Sequence, residues 1–262
     1  MRIFHSIVRI VRLPSSLLAF ASVLLPLLAR TSDLHLSLQR ALPLLFGSMC
    51  AFIINDLDDA EKDKINHPDR PLPSKELQPA LVAVLYYFCL ASALLSIRFG
   101  VGAHRIAFFY YVGIAVAISY RYVVEYLPIL KPIYVALTST GPVIVIVQFY
   151  PHEVSLYAVA LAIFFFMLGR ELCKDLPDRL GDPESFLHTI EPRHVAIISG
   201  VCQTAGIVLI ALRVETPIGA LNILLMTILV VVSYVYWLRW GRLTTALGLM
   251  KGVLFLGLFF LL

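Results

Sequence analysis

Nine charge-poor apolar runs, at about residues 14–29, 39–54, 77–97, 106–120, 128–148, 154–169, 194–212, 216–238 and 243–262, take up most of this chain. A bilayer-spanning segment needs about 20 such residues, and a helix satisfies its own backbone polar groups in lipid. The expected architecture is therefore an all-α, multi-pass transmembrane helical bundle of about nine spans. Only 15% of the 262 residues are charged, against about 25% in soluble domains, and 60% are hydrophobic. Nearly everything must lie in or beside the membrane, so residues 1–262 read as a single integral-membrane domain. Pro26, Pro43, Pro128, Pro132, Gly141 and Pro142 interrupt several runs and blur their ends.

The cations set an orientation. With the N-terminus inside, fifteen Lys and Arg fall on the inner side, among them Arg9, Arg12, Arg70, Lys131, Arg170 and Lys174. Only five, Arg30, Arg40, Arg98, Arg105 and Arg213, fall outside. This asymmetry follows the positive-inside rule and assigns the N-terminus to the cytoplasm. Lys251 is the lone charge within a span. The opening dozen residues, with Arg2, His5, Arg9 and Arg12 spaced along one face, read as an interfacial helix. Leu27 stands at −3 from Ala29, where a signal-peptidase cut needs a small residue, so the segment is expected to be retained. Cys50, Cys89, Cys173 and Cys202 form no C-x-x-C pair and read as reduced structural thiols. The net charge of +4 comes from the loops, beside anionic headgroups, and implies no nucleic-acid partner.

The acid is concentrated. Thirteen of the 17 acidic residues lie in two loops, one carrying Asp56, Asp58, Asp59, Glu61, Asp63, Asp69 and Glu76, the other Glu171, Asp175, Asp178, Asp182, Glu184 and Glu191. Both loops fall on the predicted cytoplasmic side. Asp56, Asp59 and Asp63 are spaced i, i+3, i+7, and Asp175, Asp178 and Asp182 repeat that interval, which lines three carboxylates along one helical face. An isolated triple reads more readily as a solvated loop. Repetition of the interval on one membrane side favours a hard-oxygen site for Mg2+, which takes one or two carboxylates per ion and leaves positions for phosphate oxygens. Arg70, in the DRPLPS segment, and Arg170, Lys174 and Lys131 supply cations suited to a diphosphate. Pro71 and Pro73 predict extended backbone, with Ser74 able to cap the third span. Each cation alone is better explained as a topology determinant than as a ligand.

These residues resemble the UbiA superfamily of intramembrane aromatic prenyltransferases. The first family motif reads Asn55-Asp56-Leu57-Asp58-Asp59-Ala60-Glu61-Lys62-Asp63, followed by Arg70-Pro71-Leu72-Pro73-Ser74. The second reads Asp175-Leu176-Pro177-Asp178-Arg179-Leu180-Gly181-Asp182, and Tyr120 with Lys131 matches a third marker. The resemblance implies a helical bundle with a central cavity, in which Mg2+ ions bind an isoprenyl diphosphate. It assigns Asp56, Asp59, Asp63, Asp175, Asp178 and Asp182 as metal or metal-water ligands and catalytic residues. It assigns Asn55, Arg70, Lys131, Lys174 and Tyr120 to the diphosphate, and leaves Asp58 as a solvated charge. Arg12-Leu13-Pro14-Ser15-Ser16 departs from the family's R-P-x-N in span one, so the acceptor pocket is expected to differ.

The implied reaction is Mg2+-dependent transfer of an isoprenyl group from its diphosphate to a small acceptor, aromatic by the resemblance, within the membrane. Leaving-group charge is neutralised at the acid clusters while aromatic faces shield the allylic cation. Cyclisation of the diphosphate substrate without an acceptor is the alternative, since both reactions begin with the same ionisation. A transporter is disfavoured, because the acids stand at one membrane face rather than at midplane.

Overall fold

The computed structural model describes residues 2–120, 122, 126–178, 189–257 and 260. Within the predicted motifs, Asp182, Arg179 and Gly181, together with the Asp178 side chain, lie outside the described residues. Proline and capping residues punctuate the apolar runs into eleven described α-helices. A short α1 (Arg2–Ile10) precedes α2 (Leu13–Thr31) and α3 (Leu34–Asp58), whose cap Asp33 accepts from Leu36 N–H at 3.0 Å. Then follow α4 (Ala60–Asn66), α5 (Pro79–Gly100) and α6 (His104–Ile118). A 3-10 turn at Pro128–Leu130 leads into α7 (Lys131–Phe149), α8 (Val154–Asp178), α9 (Pro192–Ala211), α10 (Pro217–Trp240) and α11 (Leu243–Gly257). Proline stands in the first turn of α2, α5, α7, α9 and α10, where its missing N–H costs nothing. Gly241 closes α10 in the left-handed region at φ 63°.

Seven of these helices are long and apolar enough to cross a membrane. The 15-residue α6 and α11 occupy two further expected spans, so the nine predicted runs all emerge as helices. Apolar side chains such as Val84, Phe88, Val201 and Leu221 point outward, as lipid-facing residues must. The four cysteines are free thiols, three of them buried.

The helices gather into two compact units, α1–α6 and α7–α11. In the first, α3 packs against α2, α5 and α6. Its core joins Ile10 and Val11 at the end of α1 to Ile53, Val82 and Cys89, and also takes in Leu72 from the RPLPS segment and Leu77 just after it. In the second unit, α8 packs against α7 and α9. Small residues allow that close approach: a Cβ on Gly169 would stand 2.6 Å from Ser199 O, and one on Gly206 2.6 Å from Ala162 O. Ser199 donates to Gly169 O at 2.5 Å, with the Tyr234 hydroxyl 2.6 Å and Cys173 Sγ 2.9 Å from its Oγ.

Gly206→Ala is expected to destabilise the second unit by about 1–3 kcal/mol, the usual cost of overpacking. Gly113→Ala, whose Cβ meets nothing within 4 Å, should leave the protein neutral or slightly more stable. Thermal unfolding of the two variants in detergent checks the contrast.

Candidate functional site

The acid-rich stretch of the first unit begins where α3 runs out of apolar residues. Asp59 interrupts the helix at φ −87°, ψ 3°, yet its N–H bonds Asn55 O at 2.9 Å and Asp63 N–H bonds Asp59 O at 2.8 Å. Helical hydrogen bonding therefore continues across the break, and Asp56 and Asp63 share the face that meets Arg70. Asp56 and Asp63 are each only 4% exposed, Asp59 is half-buried, and Asp58 and Glu61 are exposed.

Burial of two carboxylates demands counter-charge. Arg70 supplies it, with Nη1 2.5 Å from Asp63 Oδ2 and 3.5 Å from Asp56 Oδ1. Arg12 also bonds Asp56 Oδ1 and lays its guanidinium 5.0 Å from the Phe52 ring centroid. To reach Asp56 from the α1–α2 junction, Arg12 adopts φ 45°, ψ 52°, a left-handed conformation that costs a non-glycine residue about 1–2 kcal/mol. Asn55 Oδ1 is buried, with no hydrogen-bond partner among the described residues.

The segment carrying Arg70 is a compact series of turns, correcting the extended backbone expected from its prolines. Ser74 N–H and Oγ both donate to Arg70 O, at 3.0 and 2.7 Å, and Leu77 N–H donates to Pro71 O at 3.1 Å. Ser74 thus closes the Arg70 turn instead of capping the third span, which starts after Gln78 without a side-chain cap. Burying Leu72 and Leu77 is what folds the segment back. From α1, Arg9 bonds Asp69 O and reaches Glu76 at 3.2 Å, while Ser6 Oγ donates to Glu76 Oε2 at 2.6 Å. The Ser6 hydrogen bond, with Arg9, holds the exposed Glu76 carboxyl below its ordinary value.

In the second unit, Glu171 and Asp175 lie one turn apart on α8, 2% and 4% exposed. Lys131 Nζ, at the start of α7, stands 3.0 Å from Asp175 Oδ1. Glu171 takes Arg170 Nη1 at 2.6 Å and Lys174 Nζ at 2.9 Å. Of the predicted site residues, Asp56, Asp63 and Arg70 come together here, as do Lys131 and Asp175. Lys174 bonds Glu171, and Tyr120 follows α6, half-buried. Sequence reasoning left Arg12 and Glu171 without a role in the site. The i, i+4 relation of Glu171 to Asp175 was a readable signal, whereas Arg12 lies 44 residues from its partner with no local one.

Among the described residues, no three carboxylate, imidazole or thiol side chains converge as an ion-holding group. In the first unit Arg70 Nη1 instead lies against both buried carboxylates. Mg2+ needs only one or two carboxylates, with water and phosphate oxygens completing its octahedron. The buried hard oxygens and the orphaned Asn55 amide oxygen fit such an ion.

Apolar helices long enough to cross a bilayer, carrying buried acids paired with cations, define an integral, multi-pass membrane protein. Residues 16–190 match the UbiA prenyltransferase family, and the chain belongs to that family. A digeranylgeranylglyceryl phosphate synthase of Methanosphaera stadtmanae is 30% identical over 193 residues, 70% of this chain. The match spans 66% of that relative's length, just under two thirds. The fold is similar to that of a UbiA homolog from Aeropyrum pernix K1 (TM-score 0.74, 17% identity, 98% of this chain and 96% of that one). It is also similar to a UbiA homolog from Archaeoglobus fulgidus bound to GPP and Mg2+ (TM-score 0.65, 15% identity, 98% and 99%).

Burial pushes the Asp63 carboxyl above its ordinary value, and Arg70 opposes that shift without cancelling it. A carboxyl raised in this way stabilises the fold while protonated and loses that contribution as pH rises through its folded value, so at neutral pH its charge is a cost. Asp63→Asn should therefore unfold at the same temperature as the parent at neutral pH, or higher. Arg70→Ala should lose about 1–3 kcal/mol, limited because Asp63 can take up a proton when its partner is gone. Thermal melts of both variants at neutral pH check the signs.

Proposed function

We propose that this chain is a Mg2+-dependent prenyltransferase that moves an isoprenyl group from its diphosphate to a small acceptor in the membrane. One observation carries the reading: at the family's motif positions, buried carboxylates are held by cations of the kind a diphosphate requires. Asp56, Asp59 and Asp63, with Asp175, Asp178 and Asp182, would hold the metal ions, and Asn55 adds an amide oxygen. When bound, Mg2+ supplies charge neutralisation to the departing diphosphate. Arg70, Lys131 and Lys174 exchange carboxylate for phosphate oxygens, so they bind and orient the leaving group in an environment already arranged for negative charge. Tyr120 faces the same ligand in this reading. The apolar helices exclude water from the allylic carbon.

The relative from Methanosphaera supports an acceptor bearing a glyceryl phosphate over the phenol expected from the sequence. Acceptor-free cyclisation has no support in these relatives. The chain works as one integral-membrane domain, 1–262, with the N-terminus and both acid loops in the cytoplasm, an orientation supported by the excess of inner cations.

The test incubates purified protein in detergent with Mg2+ and geranyl, farnesyl or geranylgeranyl diphosphate. Reactions run without acceptor, with a glyceryl phosphate ether and with phenols, and products are read by mass spectrometry. The reading expects a prenylated acceptor, loss of turnover in EDTA, and a fall of about 100-fold or more in Asp59→Ala and Asp175→Ala. A cyclic hydrocarbon formed without acceptor, or full turnover in EDTA, would contradict it.

A further inference from the structure

Glu171 is a carboxylate in a membrane-spanning helix, 2% exposed, and it belongs to neither aspartate triple. Taking such a charge out of water costs several kcal/mol unless it is paired and hydrogen-bonded. Here each oxygen has its own cation: Oε1 takes Arg170 Nη1 at 2.6 Å, and Oε2 takes Lys174 Nζ at 2.9 Å. Arg170 and Lys174 are themselves i and i+4 on α8, a spacing at which like charges repel. Glu171 stands between them and fixes both. Lys174 needs that help most, because its flexible side chain is 34% exposed and would otherwise sample many rotamers.

We propose that Glu171 is a positioning residue that holds Lys174 in place to receive the diphosphate beside Asp175. The inference rests on the prenyltransferase reading and extends it to a residue outside the motif. It also makes a prediction of sign. Were Glu171 only a negative charge near an anion site, removing it would strengthen the positive field and tighten diphosphate binding. If it positions Lys174, removing it releases the lysine, and binding weakens although the site has become more positive.

Calorimetric binding of inorganic diphosphate with Mg2+ to the purified full-length chain in detergent separates these outcomes. Glu171→Gln is expected to weaken binding about tenfold, the order of loss that follows a misplaced binding group. Lys174→Met should weaken it comparably, and the double variant no further than Lys174→Met alone. Glu171→Asp keeps the charge but shortens its reach, so it should also weaken binding, and it carries the same comparison if Glu171→Gln is not recovered folded. Unchanged or tighter binding in either Glu171 variant, or losses that add in the double variant, would overturn the proposal while leaving the prenyltransferase reading intact. A parent chain that binds no diphosphate would overturn both.

Discussion

Buried carboxylates at the ends of apolar helices are the constraint on which the rest of this protein depends. Asp56 and Asp63 sit almost without solvent, in a place where an unpaired charge costs several kcal/mol. The chain accepts an arginine in left-handed backbone at position 12 and folds a proline-rich segment into turns, and both bring a guanidinium to these acids. Leu72 and Leu77, buried in the same core as Ile53, hold the turns that carry Arg70. Packing, backbone conformation and electrostatics thus converge on one small set of oxygens.

Both acid clusters pair their buried carboxylates with cations. In the first, Asp56 lies against Arg12 and Arg70, and Asp63 against Arg70. In the second, among the described side chains, Asp175 lies against Lys131, and Glu171 against Arg170 and Lys174. That pairing is what lets such charges persist in a chain that is otherwise 60% hydrophobic.

Much of this was legible in the sequence because it depends on local period. Apolar run length announces the helices, and the i, i+3, i+7 interval places Asp56 and Asp63 on one buried face even though Asp59 breaks the helix between them. The turn structure around Arg70 was not legible, since it results from burying Leu72 and Leu77, a tertiary effect that overrides the extended preference of the prolines. Arg12 was hidden for the same reason. Its role depends on a strained backbone and a partner 44 residues away, and neither leaves a periodic trace. Glu171 was visible as an acid but not as a hub, because only the structure distinguishes a solvated loop charge from one with a cation on each oxygen.

The most direct test of the central claim, that these acids exchange their arginine partners for metal and diphosphate, is a structure of the full chain with Mn2+ and inorganic diphosphate, with the ion located by anomalous scattering. The account predicts an ion about 2.0–2.2 Å from carboxylate oxygens of the Asp56–Asp63 cluster, with Arg70 moved from Asp63 onto a phosphate oxygen. A diphosphate bound while Arg70 remains on Asp63, or an ion bound away from these carboxylates, would contradict it.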